Sequence, residues 1–339
     1  MNKAENSNMV QPESAVTNVS FLNEHPAVGD SREELLLGLQ QGQKIINPKY
    51  FYDHHGSQLF DQITRLPEYY PTRTEIEILT RYRKEISSAC EMGCLFIEPG
   101  SGNCEKARLL LNDLRPSAYV PVDISADFLL QAATQLGSEY PWLNVRAVCA
   151  DFNHSWSFLD DLPEGKRVVF YPGSTIGNLE PKSAVDFLKR VRSVLGNNGG
   201  ALMGVDLHKS SERLNAAYND AAGVTAQFNL NVLGRVNELL DAEFDPAAFR
   251  HHAFYDSQKQ RIEMHLISEF AQTVPCNGTP IDFAKGESIH TENSYKYTLE
   301  GFAELAGRAG LSVEKSWLDD EQLFSVHYLK IRESTAATD

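Results

Sequence analysis

Residues 94–114 read CLFIEPGSGNCEKARLLLNDL. The run Cys94–Glu98 is apolar until its last residue, as expected of a buried strand. Pro99–Gly102 is a glycine-rich turn. Beyond it, apolar residues recur at helical spacing. Outward from this unit the same alternation repeats. AYVPVDIS (118–125) is a second strand ending in an acid, with a helix over Phe128–Leu136. NVRAVCADF (144–152) is a third strand, also ending in an acid. RVVFYPGST (167–175) is a fourth, followed by a helix over Lys182–Leu195, and GGALMGVDL (199–207) is a fifth. Alternating strands and helices predict a parallel, Rossmann-like α/β sheet with helices on both faces. Right-handed crossovers bring the carboxyl ends of such strands to one rim.

The alternation stops after residue 207. Residues 209–240 read as helical, and residues 250–295 as several strands. LSVEKSWLDD (311–320) and LFSVHYLKI (323–331) are close enough to be antiparallel neighbours, with a helix over Leu299–Ala309 before them. On the amino-terminal side, residues 1–28 are polar and read as a flexible tail. Asp30 or Ser31 is a candidate cap for a helix carrying Leu35–Leu37 and Leu39. A short helix over Ser57–Thr64, an irregular loop and a helix over Thr74–Ala89 follow. The expected division is a cofactor domain over 91–207 and 297–333, and a smaller α+β substrate domain over 29–90 and 208–296.

Composition narrows the function. The chain has 339 residues, 42% of them hydrophobic and 23% charged, which excludes wholesale disorder. It carries 46 acidic against 31 basic residues, a formal charge of −15. So acidic a surface repels phosphate backbones and anionic lipid heads, so neither nucleic acid nor a membrane is an expected partner. No apolar run is long enough to span a bilayer. The 5 cysteines form no CxxC pair and do not read as a disulfide framework. With no signal peptide visible, a cytoplasmic location is expected.

The strand ends carry the chemistry. Gly100-Ser101-Gly102 lets a ligand approach the backbone closely, beside the free N–H groups of a helix start. The full GxGxxG fingerprint is absent, which weighs against an NAD-dependent oxidoreductase. Asp123 suits ribose hydroxyls, and Asp151-Phe152 offers an acid beside an aromatic face for adenine. Each acid alone is as readily a helix cap. Three successive strand ends of this kind describe an adenosyl pocket, and the two C-terminal strands favour a methyltransferase-type sheet. The loop after the fourth strand, Gly173–Pro181, then faces the acceptor. Its Asn178 can donate to a carboxylate or accept from an amine, or simply form a turn. Tyr52, Tyr69 and Tyr70 are candidates for a cleft wall. Glu292 and Ser294, two apart in HTENSYKY, share one face of a strand and could grip an imidazole or amine, or be a solvated edge. Met264 reads as core. The adjacent pairs His54-His55 and His251-His252 lack the spacing of a helical zinc pair, so no metal is expected.

The stretches FYDHHGSQLFDQITRLPEYYPTRTEIEIL (51–79), EPGSGNCEKARLLL (98–111), FYPGSTIGNLEP (170–181), AYNDAAGVTAQFNLNVL (217–233) and RIEMHL (261–266) resemble the histidine-specific Nα-methyltransferases of ergothioneine biosynthesis. The resemblance runs from about Tyr50 to Leu329. It implies a class I S-adenosylmethionine-dependent methyltransferase domain with a smaller substrate domain. The cofactor would lie on Gly100, Ser101, Gly102, Lys106, Asp123, Asp151 and Phe152. The histidine pocket would comprise Tyr52, Tyr69, Gly173, Asn178, Tyr218, Met264, Glu292 and Ser294, with Tyr52 and Asn178 nearest the chemistry. Asn178 and Tyr218 would hold the carboxylate, and Tyr69, Glu292 and Ser294 the imidazole. The implied reaction is successive methylation of L-histidine to its Nα,Nα,Nα-trimethyl form, by a monomer acting on a small molecule. A different amino acid or small amine as acceptor, and a nucleotide-sensing module without turnover, are the alternatives.

Overall fold

The computed structural model describes residues 9–10, 17–24, 28–152, 156, 158–159, 162–276 and 278–332. The strand Leu95–Pro99 is buried along its whole length, as a central parallel strand must be when helices cover both faces. It lies inside a 9-stranded sheet. The spatial order is Met9–Val10, Val19–Asn23, Val145–Cys149, Ala118–Asp123, Leu95–Pro99, Arg167–Tyr171, Gly200–Asp206, Phe324–Ile331 and Leu311–Leu318. The chain leaves Leu95–Pro99 toward one edge through two strands, then returns to build the other side from Arg167–Tyr171. A topological switch point therefore opens between Leu95–Pro99 and Arg167–Tyr171, where ligands bind in such sheets. Phe324–Ile331 pairs antiparallel with both neighbours. This is the class I methyltransferase order with an added amino-terminal edge.

That edge corrects the reading of residues 1–28 as a tail. Val19–Asn23 runs parallel to Val145–Cys149 in continuous register. Asn18 locks the entry by donating its amide to the carbonyls of Gly137, Tyr140 and Leu143. The five residues VSFLN carry no alternation in sequence or in burial that would mark a strand. The following helix starts at Val28, so Asp30 and Ser31 lie within it and are not its cap.

Two apolar cores cover the faces of the large sheet, and a third belongs to a smaller unit. The third core unites Leu35–Tyr70 with Leu214–Ile289. Its 4-stranded sheet is ordered Lys44–Ile45, Ser288–Tyr295, Arg261–Ser268 and Phe249–Asp256. The helices His54–Ile63, Ser211–Tyr218 and Val224–Leu240 pack beside it. The boundary expected at residue 90 moves. The helix Tyr70–Cys90 begins in the small core, but Ile78, Leu79, Ile86 and Cys90 pack against the large sheet. Its apolar stripe was visible in the sequence; which core it serves was not.

Candidate active site

A cavity of about 670 Å³ opens at the switch point. Its wall includes the glycine turn, Asp123, Asp151, Phe152, Lys106, Gly173, Asn178, Tyr52 and Tyr69. Gly100 and Gly102 take φ of +70° and +51°, the left-handed region that glycine enters without penalty. Gly102 donates its N–H to Asp123 Oδ2 at 2.9 Å, and Ser125 N–H donates to Oδ1 at 3.1 Å. The two amides hold the carboxylate at the strand end, while burial pushes its pKa up against them. The Ser101 hydroxyl is buried on this wall without a hydrogen-bond partner among the described residues. Asp151 pairs with Lys49 at 3.1 Å. The Phe152 ring meets Tyr171 edge-on and would lie 3.7 Å from a Cβ placed on Gly100. An open glycine turn, an orphaned hydroxyl, two acids and an aromatic face fit an adenosyl group with an amino-acid tail.

The acceptor residues are gathered from separate segments. Asn178 closes a 3-10 turn over Thr175–Asn178, and its side-chain amide makes no hydrogen bond among the described residues. Tyr52 and Tyr69 belong to an aromatic chain in which Phe60 touches both, and Tyr69 lies 6.2 Å from Tyr218 between ring centres. Burial and the nearby Glu292 charge hold the Tyr52 and Tyr69 phenols well above their usual range. Both are therefore neutral rings near pH 7 and not phenolate bases. Tyr218, Met264, Glu292 and Ser294 are not on the cavity wall; they form the layer that adjoins it through Tyr52 and Tyr69. Met264 is register partner to Glu292 and is fully buried. Glu292 is 9% exposed, and its carboxylate accepts no hydrogen bond from a described residue. Burial raises its pKa to about 7, with the Lys296 charge opposing. Tyr218 donates its hydroxyl to Ser294 at 2.8 Å, a contact that joins it to the pair it was expected to face across the substrate.

Four buried charged residues escaped the sequence reading. Glu75 is completely buried, accepts Gly173 N–H at 2.9–3.0 Å, and pairs with Lys106 at 2.6 Å. It fits only because residue 204 is glycine: a Cβ there would lie 2.0 Å from Glu75 Oε1. Its signal was an acid on the same helical stripe as Ile78 and Leu79. Glu98, on the cavity wall, accepts the Tyr119 hydroxyl, and burial raises its pKa to about 8. Asp206 ends the fifth strand and accepts from Tyr70, Lys209 and Lys296. The acid at the end of the fifth strand was the available clue for Asp206; Lys296, one residue past the strand Ser288–Tyr295, had none.

Among the described residues, one group has the makings of a metal site: ligand atoms of Glu263, His265 and His290 lie within 4.8 Å of one another. Glu263 is already engaged by Lys259, Arg261 and His265. His251 bonds Asn229 and the Tyr218 carbonyl, so it positions a tyrosine. No helix among the described residues is long and apolar enough to cross a membrane.

Sheet order, switch-point cavity and adenosyl-type rim together define a class I S-adenosylmethionine-dependent methyltransferase. Residues 31–331 match a family model described as histidine-specific methyltransferase, SAM-dependent, and the chain belongs to that family. It is 43% identical over 307 residues to a histidine N-alpha-methyltransferase of Mycolicibacterium smegmatis, covering 88% of this chain and 94% of that one. The Mycobacterium tuberculosis protein of the same name is 43% identical over 296 residues, with 85% and 91% covered. Ergothioneine biosynthesis protein 1 of Neurospora crassa is 30% identical over 299 residues, 82% of this chain but 32% of that longer one. S-adenosylmethionine is thus the cofactor, and the oxidoreductase alternative falls.

Proposed function

We propose that this protein methylates the α-amino group of L-histidine, successively to Nα,Nα,Nα-trimethylhistidine (hercynine), the first step of ergothioneine biosynthesis. The observation that carries the choice of histidine is Glu292. A buried carboxylate without a donor is costly unless a ligand supplies one. An imidazole N–H does so as a charge-assisted hydrogen bond, and Ser294 faces the same layer. Substrates lacking that N–H leave Glu292 desolvated and unpaired, so they are rejected. The 43% identity to two histidine N-alpha-methyltransferases supports the same reading.

S-adenosylmethionine supplies a methyl group already activated on a sulfonium. Gly100–Gly102, Asp123, Asp151 and Phe152 would hold it at the rim, with Lys106 at the junction to the acceptor loop. The chain's own task is to present a neutral amine. An α-amine titrates near 8 in simple peptides, so a fraction is free at neutral pH and no strong base is required. Asn178 would orient the substrate carboxylate from its fixed turn. Tyr218 would reach the same carboxylate by exchanging its bond to Ser294. The neutral Tyr52 and Tyr69 rings would stabilise the growing ammonium by cation–π attraction, about 0.5–2 kcal/mol. A monomer is the reading for the assembly, since one chain supplies all the residues the proposed site needs. All five cysteines are free and buried, which fits a cytoplasmic enzyme.

Mass spectrometry of histidine incubated with the protein and S-adenosylmethionine tests this, with the other proteinogenic amino acids in parallel. Histidine gaining up to three methyl groups, the others unchanged, is the expected result. Methylation of another amino acid would keep cofactor and fold but overturn the pocket assignment.

A further inference from the structure

Glu292 and Ser294 differ in what they can do with a proton, and a third residue decides it. Lys296 is 2% exposed. Its ammonium lies 2.8 Å from Asp206 Oδ2, 2.6 Å from Ser294 Oγ and 3.4 Å from the Tyr218 hydroxyl. An ammonium has three donors and no acceptor. Lys296 therefore donates to Ser294 and cannot receive its proton. Tyr218 donates to the other Ser294 lone pair at 2.8 Å. The Ser294 hydroxyl proton is left to be donated elsewhere. Should Tyr218 turn to a substrate carboxylate, Lys296 still fills one Ser294 lone pair and leaves the hydroxyl proton free to be donated.

We propose that Lys296 is a positioning residue that fixes this polarity, making Ser294 a donor beside the acceptor Glu292, so that the pocket selects the neutral imidazole of histidine over the imidazolium. The inference rests on the reading that the imidazole meets Glu292 and Ser294. A neutral imidazole has one N–H and one bare nitrogen; Glu292 takes the first and Ser294 serves the second. Charge balance points the same way. Lys296 and Lys209 both pair with Asp206, and the Lys296 charge also answers Glu292 once that carboxyl is ionised, above about pH 7. The other groups facing Glu292 are the neutral phenols of Tyr52, Tyr69 and Tyr218. Of the further acids that act on these tyrosines, Glu75 is paired with Lys106 and Asp123 is held by backbone amides. A neutral ring preserves this balance, whereas an imidazolium beside Glu292 adds one positive charge beyond it. With Lys296 replaced by methionine the balance shifts by one negative charge, and the imidazolium becomes the matched form.

The test is calorimetric binding of L-histidine at about pH 6 and about pH 8, on either side of the imidazole pKa. S-adenosylmethionine affinity serves as the control for folding. Wild type should bind histidine roughly fourfold more tightly at the higher pH through the neutral fraction of the imidazole. Lys296→Met should lose or invert that dependence, with a raised Kd for histidine at both values and cofactor affinity unchanged. Lys296→Arg, which keeps a donor-only cation, should restore it. If the methionine variant also loses the cofactor, the arginine variant decides: a wild-type pH dependence supports the role, and a lost one overturns it. An unchanged pH dependence in a cofactor-binding methionine variant would overturn the role of Lys296 while leaving histidine as substrate. Failure of the wild type to bind histidine at either pH would instead sink the substrate reading.

Discussion

The two halves of the cavity are built on different principles. The proposed cofactor half lies at strand ends: Gly100–Gly102 and Asp151 follow strands of the large sheet, Asp123 ends one, and backbone amides hold its carboxylate. The proposed acceptor half has Tyr52 and Tyr69 on the wall and a layer behind them, reaching Ser294 more than 200 residues away in the chain, held by aromatic contacts and buried hydrogen bonds. A backbone cradle tolerates side-chain change and keeps its ligand. A side-chain pocket can be retuned by one substitution, which is how one fold comes to accept many acceptors.

The largest effect expected from this difference is at Glu292. Glu292→Ala should lower kcat/KM for histidine by about 10³- to 10⁴-fold and leave S-adenosylmethionine affinity unchanged. Equal loss in both would erase the division into halves. Glu75 is the place where the halves join, since it grips the Gly173 amide and Lys106 together. Glu75→Ala leaves a lysine without its buried partner, and chemical denaturation should show a loss of about 3–4 kcal/mol. Cofactor and histidine affinity should fall together. Asp123→Ala is the converse of Glu292→Ala. It should weaken S-adenosylmethionine binding about 10- to 100-fold, by loss of hydrogen bonds to a charged group, without changing which amino acid is methylated. Retained cofactor affinity would remove Asp123 from the rim.

The smallest effect separates the halves by pH. The Glu292 pKa is raised from 4.5 to about 7 in the folded chain. Its contribution to stability is therefore fully present below about pH 4.5 and is lost as pH rises through 7. Glu98, raised to about 8, acts in the same sense from the cofactor side. Glu292→Gln should flatten the fall in Tm between about pH 5 and 8 but not abolish it. An identical profile in wild type and variant would show that Glu292 is not desolvated.

The same contrast explains what could be read in the sequence. Strand, turn and acid lie within a dozen residues of each other in the cofactor half, so local pattern exposed Gly100–Gly102, Asp123 and Asp151, and the sheet with them. Tyr52, Tyr218 and Glu292 have no local pattern in common; they were legible only through resemblance to a family. Glu75 and Asp206 carried only a helical stripe and a strand end as clues, and Lys296 looks like an ordinary surface charge until the fold buries it. The strand Val19–Asn23 was missed because its parallel partner, Val145–Cys149, lies far away in the chain.

That strand has a consequence for the protein as a material. Strand Val145–Cys149 leads straight into Asp151, and its outer edge is covered by Val19–Asn23 along five register pairs, closed by Glu24 N–H on the Cys149 carbonyl. Stripped of that cover, the sheet would show a row of unpaired amides and carbonyls, a template for another molecule. A chain trimmed to residues 31–331, the span that matches the family model, would keep every residue assigned to the site. It would also be the form most prone to stick to itself on the bench.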